Sequence, residues 1–298
     1  MSLMQDMVRG ILTLDGAMGT ELIARGAKGA LELCNVENPA MVSAIHEAYL
    51  EAGADIISTN TTCADALSLE PYGLKDRSYE LARAGAEIAR CVADKYSTTL
   101  KRRYVAGAVG PTTRNLTLAI DLKREALAEM YANVIRGLLD GGVDLILIET
   151  VTDVANAVVA IEEVRKINRE IPIVVSAVLA RMEGRVASGA TIAKFVEDLP
   201  MDEIAAVGFN CTNGVKPLEV ALKKLSEVSP KPIIAYPSAG NPLQPMSRWV
   251  KDMELICRSG LVNIVGGCCG TTPAYIIGVA KAAARWRPKK FDVANTKE

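Results

Sequence analysis

Apolar positions recur along the chain in two alternating rhythms. Short runs of β-branched and other apolar residues stand at 11–15, 54–59, 104–110, 143–150, 172–178, 205–210, 231–237 and 261–267. Between and after them, apolar residues at three- and four-residue spacing predict helices at 39–53, 76–96, 123–142, 154–168, 189–199, 215–228, 247–260 and 273–286. The short runs are apolar nearly throughout, as expected of strands covered on both faces in a parallel sheet behind helices. Eight strand-then-helix units in about 290 residues match the size and order of a (β/α)8 TIM barrel in the α/β class. We take residues 1–298 as a single domain, with its core from about residue 10 to 286 and a polar, fraying tail at 287–298. An open doubly wound sheet is the runner-up. It fits less well, because neither GxGxxG nor GxxxxGK[ST] follows the first run and the repeats number eight. No linker rich in Pro, Gly or Ser divides the chain.

A barrel of this kind carries its chemistry at the C-terminal ends of its strands. Those ends are Asp15 with the following GAMGT, Thr59 to Thr62, Gly110 to Thr113, Glu149-Thr150, Ser176, Asn210-Cys211, Tyr236 to Ser238 and Gly266 to Gly270. Composition narrows what could meet them. Half of the 298 residues are hydrophobic, enough for a large core, and 34 basic against 35 acidic residues leave a net charge of −1. That balance gives no electrostatic footprint for nucleic acid or an anionic membrane surface. No run reaches the roughly 18 to 20 apolar residues that span a bilayer, and the N-terminus lacks a signal-peptide core. A cytoplasmic protein acting on a small molecule, or with another protein, is the expectation.

Seven cysteines are an odd number for a disulfide framework in a chain of this size. Cys34, Cys63, Cys91 and Cys257 are expected to pack as small hydrophobes. Cys211 ends the sixth run and Cys268-Cys269 end the eighth, so a barrel brings all three to one mouth. For the adjacent pair alone, a vicinal disulfide, a redox couple or plain packing would also serve, and the glycine-rich loop could cradle phosphate instead. Three thiols without a fourth suit a zinc site with one open position, and the flanking glycines permit the turn that aims both neighbours at one ion. Three thiolates leave zinc a poor activator of water but a good holder of a substrate thiol, because coordination removes a proton that a free thiol, of pKa about 8.5, keeps at neutral pH. That points to alkyl transfer to sulfur. The single histidine, His46, falls inside a helix pattern and reads as structural, leaving Ser-His-Asp and HExxH chemistry without candidates.

The segments DGAMGTEL (15–22), EAGADIISTNT (51–61), GPTTR (110–114), GGVDLILIET (141–150), GFNC (208–211) and GGCCGTTP (266–273) resemble the homocysteine S-methyltransferase family. The resemblance is greatest to the homocysteine-binding domain of cobalamin-dependent methionine synthase. It implies a zinc-dependent methyltransferase with the metal on Cys211, Cys268 and Cys269, and homocysteine as the sulfur that completes the site and leaves as methionine. It further implies that Asp15 and Glu149 face the substrate ammonium, that backbone N–H groups near Gly19 and Thr20 receive its carboxylate, and that Asn210 and Ser238 belong to the substrate site. Plainer readings of the residues make Asp15 a helix cap and Glu149 a partner of Arg114. Ser238 departs from the asparagine usual in the family, so water or Asn241 would fill the resting metal position. The further domains of methionine synthase are absent from this chain, so the donor must come from outside: methylcobalamin on a separate corrinoid protein or domain, or a small donor of the S-methylmethionine or betaine type. Transfer to a different thiol, thiol-disulfide or peroxide chemistry at Cys268-Cys269, and a non-catalytic corrinoid- or zinc-binding accessory subunit are the alternatives.

Overall fold

The computed structural model describes residues 2–180 and 184–292, so residues 293–298 of the expected tail lie outside the described residues. Eight strands form one parallel sheet: β1 Leu12–Thr13, β2 Ile56–Ser58, β3 Tyr104–Val109, β4 Leu145–Val151, β5 Ile173–Ala177, β6 Ala206–Asn210, β7 Ile233–Tyr236 and β8 Ile264–Val265. Consecutive strands pair from β2 to β8, β8 pairs β1, and a bridge from Leu14 to Ile56 closes the ring between β1 and β2. The (β/α)8 TIM barrel expected from the repeat is the observed fold. Six of the strands stop short of the ends of the apolar runs that announced them and leave those last residues to build the rim, while β4 and β6 continue to Val151 and Asn210.

Burial on both faces explains the near-continuous apolar runs. One set of side chains, including Ile56, Tyr104, Leu145, Leu147, Val174 and Ile264, fills the barrel interior. The alternate set, including Ile146, Ile148, Val175, Val207 and Phe209, meets the helices outside. The predicted helices form at Pro39–Glu51, Ser78–Tyr96, Arg124–Asp140, Val154–Ile167, Ile192–Asp198, Lys216–Val228, Met246–Arg258 and Pro273–Ala283. Gly208 shows how tightly the wall is drawn: a Cβ there would stand 1.8 Å from the Ile234 carbonyl oxygen.

Two features at the floor of the barrel were not anticipated. A helix at Leu3–Arg9, opened by a reciprocal Ser2–Gln5 capping box, buries Leu3, Met4 and Met7 against the interior cluster. Tyr104 donates its hydroxyl proton to Asp6 of that helix at 2.7 Å. The first part of the tail is also tied down rather than frayed. Lys289 donates through Nζ to the carbonyls of Ser229 (2.9 Å) and Lys231 (2.7 Å), and its own carbonyl accepts from Asn263 Nδ2 at 2.8 Å. Among the other cysteines only Cys257 is fully buried; Cys63 and Cys91 are exposed.

Candidate metal centre and amino-acid pocket

Three strand ends build the thiol cluster. Beyond β6, Cys211 adopts a left-handed backbone (φ 53°), and Thr150 near the end of β4 does the same (φ 58°). Such conformations cost about 1–3 kcal/mol each and persist only where the surroundings impose them. Asn210 is one such constraint: its Oδ1 accepts the Thr150 N–H at 2.9 Å and its Nδ2 donates to Thr150 Oγ1 at 2.8 Å. The exit of β7 is the other, running between the two cysteine segments and holding both by backbone bonds. The carbonyl of Tyr236 accepts from Cys211 N (3.3 Å), that of Pro237 accepts from Cys268 N (3.0 Å), and Ala239 N donates to the Cys269 carbonyl (2.8 Å). Glycine serves the adjacent pair in two ways. A Cβ on Gly267 would sit 2.2 Å from Thr271 Oγ1, and Gly270 turns the chain at φ 79°.

The sulfurs of Cys211 and Cys269 lie 3.7 Å apart and those of Cys268 and Cys269 4.0 Å apart, and all three fall within 4.8 Å of one another. Tetrahedral zinc with bonds of about 2.3 Å needs sulfurs about 3.8 Å apart. The donor set therefore fits zinc in both type and spacing, and among the described residues no other cluster of His, Cys, Asp or Glu is so placed. Ser238 donates its hydroxyl proton toward Cys211 Sγ at 3.6 Å. The thiols share their protons. Hydrogen bonds from Cys211 and Cys268 hold the Cys269 thiol below the ordinary thiol range, while the bond with Cys211, then that with Cys269, pushes Cys268 up. All seven cysteines are free.

Two cavities meet at this cluster. The inner one, about 450 Å³, is walled by all three cysteines together with Asp15, Gly19, Thr20 and Glu149. The outer one, about 540 Å³, shares Cys211 and Cys269 and is completed by residues including Thr212, Asn213, Ser238, Asn241 and Leu243. Asp15 is buried to 1 % exposure, and its carboxylate accepts from Ser58 N (2.8 Å) and Ser58 Oγ (2.9 Å). Burial pushes its pKa up to about 8, with the Glu149 charge adding to the rise and the Ser58 bonds opposing it. Burial also raises Glu149, which accepts from Thr62 Oγ1 at 2.8 Å and meets the Tyr236 hydroxyl at 3.1 Å. No Lys, Arg or His is among the residues walling the inner cavity, so its carboxylates face it without a protein counter-ion.

The plainer readings of the two acids fail. The helix at Met18–Ala24 begins at Ala17 with no side-chain cap, and Arg114 pairs with Asp121 instead of Glu149. Asp15, Gly19, Thr20 and Glu149 thus share the inner cavity with the thiols, whereas Ser238 faces the outer one. Asn210 is wholly buried behind the cluster and walls neither cavity. Ser58, Thr62 and Tyr236 were not singled out as site residues from the sequence. The polar residues ending the second run were the available signal for the first two.

With that geometry in hand, the sequence pattern of homocysteine S-methyltransferases matches residues 12–283. The chain belongs to the homocysteine S-methyltransferase family. Within this family the chain is similar to a solved homocysteine methyltransferase, MmuM from Escherichia coli. Its metallated form is 27 % identical with a TM-score of 0.76, covering 91 % of this chain and 96 % of that one. Its oxidized form is 26 % identical with a TM-score of 0.77, over 91 % and 95 %. Outside the methyltransferases, the carboxyl transferase domain of Rhizobium etli pyruvate carboxylase shares the fold alone, at 13 % identity and a TM-score of 0.52, over 95 % of this chain and 48 % of that chain. Among the described residues no helix is long and apolar enough to cross a membrane.

Proposed function

We propose that this family member transfers a methyl group to the thiol of homocysteine, forming methionine, with zinc held by Cys211, Cys268 and Cys269. The observation that carries the reading is the shared wall: three thiols spaced for a tetrahedral metal border the same 450 Å³ cavity as the carboxyls of Asp15 and Glu149, with no Lys, Arg or His in its wall. An amino acid bearing a thiol presents the complementary groups. Zinc at the three cysteines would supply deprotonation of the substrate thiol at neutral pH. Asp15 and Glu149 would take the ammonium, whose positive charge brings both carboxyls back to their ionised forms. Backbone N–H groups in the first turn of the helix at Met18–Ala24, near Gly19 and Thr20, would receive the carboxylate. The cavity would orient the sulfur, and no side-chain base is required, which agrees with His46 lying outside it. The sulfur lone pair forms the new S–CH3 bond while the donor keeps the electrons of the bond that breaks.

The donor would arrive through the outer cavity. That cavity is walled by hydroxyls, amides, cysteines and Leu243, with neither a carboxylate nor an aromatic ring. Those are the groups that select small sulfonium or quaternary ammonium compounds. Their absence from its wall favours a methyl-corrinoid brought by a partner over a small cationic donor. Three free thiols at an open mouth also favour a reducing, cytoplasmic setting. Methionine formation from homocysteine and methylcobalamin, lost in Cys211→Ala, is the expected result. Turnover with only S-methylmethionine or betaine would replace the corrinoid, and no turnover with any donor would overturn the catalytic reading in favour of an accessory subunit.

A further inference from the structure

Behind the inner cavity, fully buried polar side chains link its two ends. Glu149 Oε2 lies 3.1 Å from the Tyr236 hydroxyl, which lies 2.5 Å from Ser176 Oγ, which lies 2.8 Å from Asn210 Oδ1. Asn210 Nδ2 in turn makes a long contact, 4.0 Å, to Cys268 Sγ. Ser176 and Asn210 are wholly buried and Tyr236 is 2 % exposed, so water does not complete their bonding.

Counting protons leaves the chain one choice, at Tyr236. The Thr150 backbone N–H can only donate, so the oxygen of Asn210 faces it and the Asn210 amide nitrogen points to Thr150 Oγ1 and Cys268. Ser176, also facing that oxygen, spends its one proton there. The single proton of Tyr236 can serve only one of its two neighbours: it goes to Glu149 when that carboxyl is ionised and to Ser176 when the carboxyl carries a proton of its own. When a ligand ammonium ionises Glu149, the carboxyl proton leaves to solvent. Tyr236 then turns its proton to Glu149 and Ser176 turns to Tyr236. Asn210, adjoining Cys211 and facing Cys268, loses one of its two donors. No heavy atom needs to move.

We propose that Tyr236 and Ser176 are positioning residues, a buried hydroxyl relay that reports occupation of the ammonium end of the inner cavity to Asn210 behind the thiols. The inference rests on the amino-acid reading of that cavity. Neighbouring groups that share the field of Glu149 are Asp15, Cys63, Cys269 and Tyr236, and none is a cation.

The test uses zinc-loaded protein and two ligands, homocysteine and norleucine, the latter lacking the thiol. Calorimetry in buffers of different ionisation enthalpy gives affinity and protons released. In Tyr236→Phe the ionised Glu149 loses a hydroxyl donor, so the norleucine Kd and the homocysteine KM should rise together by about ten- to hundred-fold, with kcat changed less than KM. In Ser176→Ala, Tyr236 has only Glu149 to donate to. Norleucine should then bind at least as tightly as to wild type and release fewer protons, whereas loss of mere packing would weaken binding and leave the proton count alone. Unchanged binding in Tyr236→Phe, or weaker binding with an unchanged proton count in Ser176→Ala, overturns the relay. Wild-type protein that binds neither ligand overturns the amino-acid reading instead. Thermal unfolding and zinc content of each variant identify a folding failure, and if Tyr236→Phe does not fold, Ser176→Ala decides alone.

Discussion

Asp15 is held at a cost to the fold. Its folded pKa, about 8, lies above the ordinary 3.8, so its contribution to stability is complete below about pH 4 and is lost as pH rises through 8. Replacing it with asparagine should therefore stabilise the ligand-free protein at pH 8 by roughly 2–4 kcal/mol, after allowing for one lost bond to Ser58. The same change should weaken homocysteine at least tenfold; urea unfolding and KM measure the two effects. In wild type, homocysteine KM should fall as pH rises from 6 toward 8, because the ionised carboxylate is the form that pairs with ammonium. Cys211→Ala should remove both stoichiometric zinc and methyl transfer, and retained activity in metal-free variant protein would sink the zinc assignment. The cysteines, Asp15 and Glu149 were legible in the sequence because reactive residue types at strand ends point to the mouth whatever the register. Ser176 and Tyr236 were placed at strand ends too, but their alignment was not legible, because only the pairing of β5, β6 and β7 brings their hydroxyls into line.

Elements announced by long periodic patterns were found within a few residues of their expected bounds, while short ones escaped. The helix at Leu3–Arg9 has 7 residues, too few for a period to show, and its place is set by the barrel floor that it fills. Deleting residues 2–9 exposes Leu3, Met4 and Met7 and the interior beneath them, and should cost on the order of 5 kcal/mol, measured by denaturant unfolding. The helix at Pro39–Glu51 carries a different liability. His46 on it is fully buried, neither ring nitrogen has a hydrogen-bond partner, and burial lowers its pKa to about 3. Its folded value is depressed, so below about pH 6.5 the unfolded chain gains a proton that the folded chain refuses. Stability from this residue should fall by about 1.4 kcal/mol per pH unit on going toward pH 3. His46→Leu should abolish that slope and show a difference of about 2 kcal/mol between its losses and those of wild type from pH 7 to pH 5.

At the scale of the whole molecule, the count of eight units settled the architecture, since parallel strands covered on both faces leave a strong apolar signal and every mouth residue follows from closure. The division of the mouth into two cavities was not legible, because it depends on where the exit of β7 passes between segments 57 positions apart in sequence. Chelation should unmask three reactive thiols per chain beyond those already accessible, and homocysteine should protect the zinc from the chelator; thiol titration measures both. The backbone bonds from the β7 exit to Cys211, Cys268 and Cys269 involve no sulfur and need no ion. The three thiols are thus brought together by the same cooperative transition that closes the barrel. In small zinc domains, by contrast, metal capture and chain ordering are one event. Here the metal should be exchangeable at constant fold: stripped protein keeps its helical circular dichroism, and added zinc restores activity on the timescale of ion encounter instead of refolding.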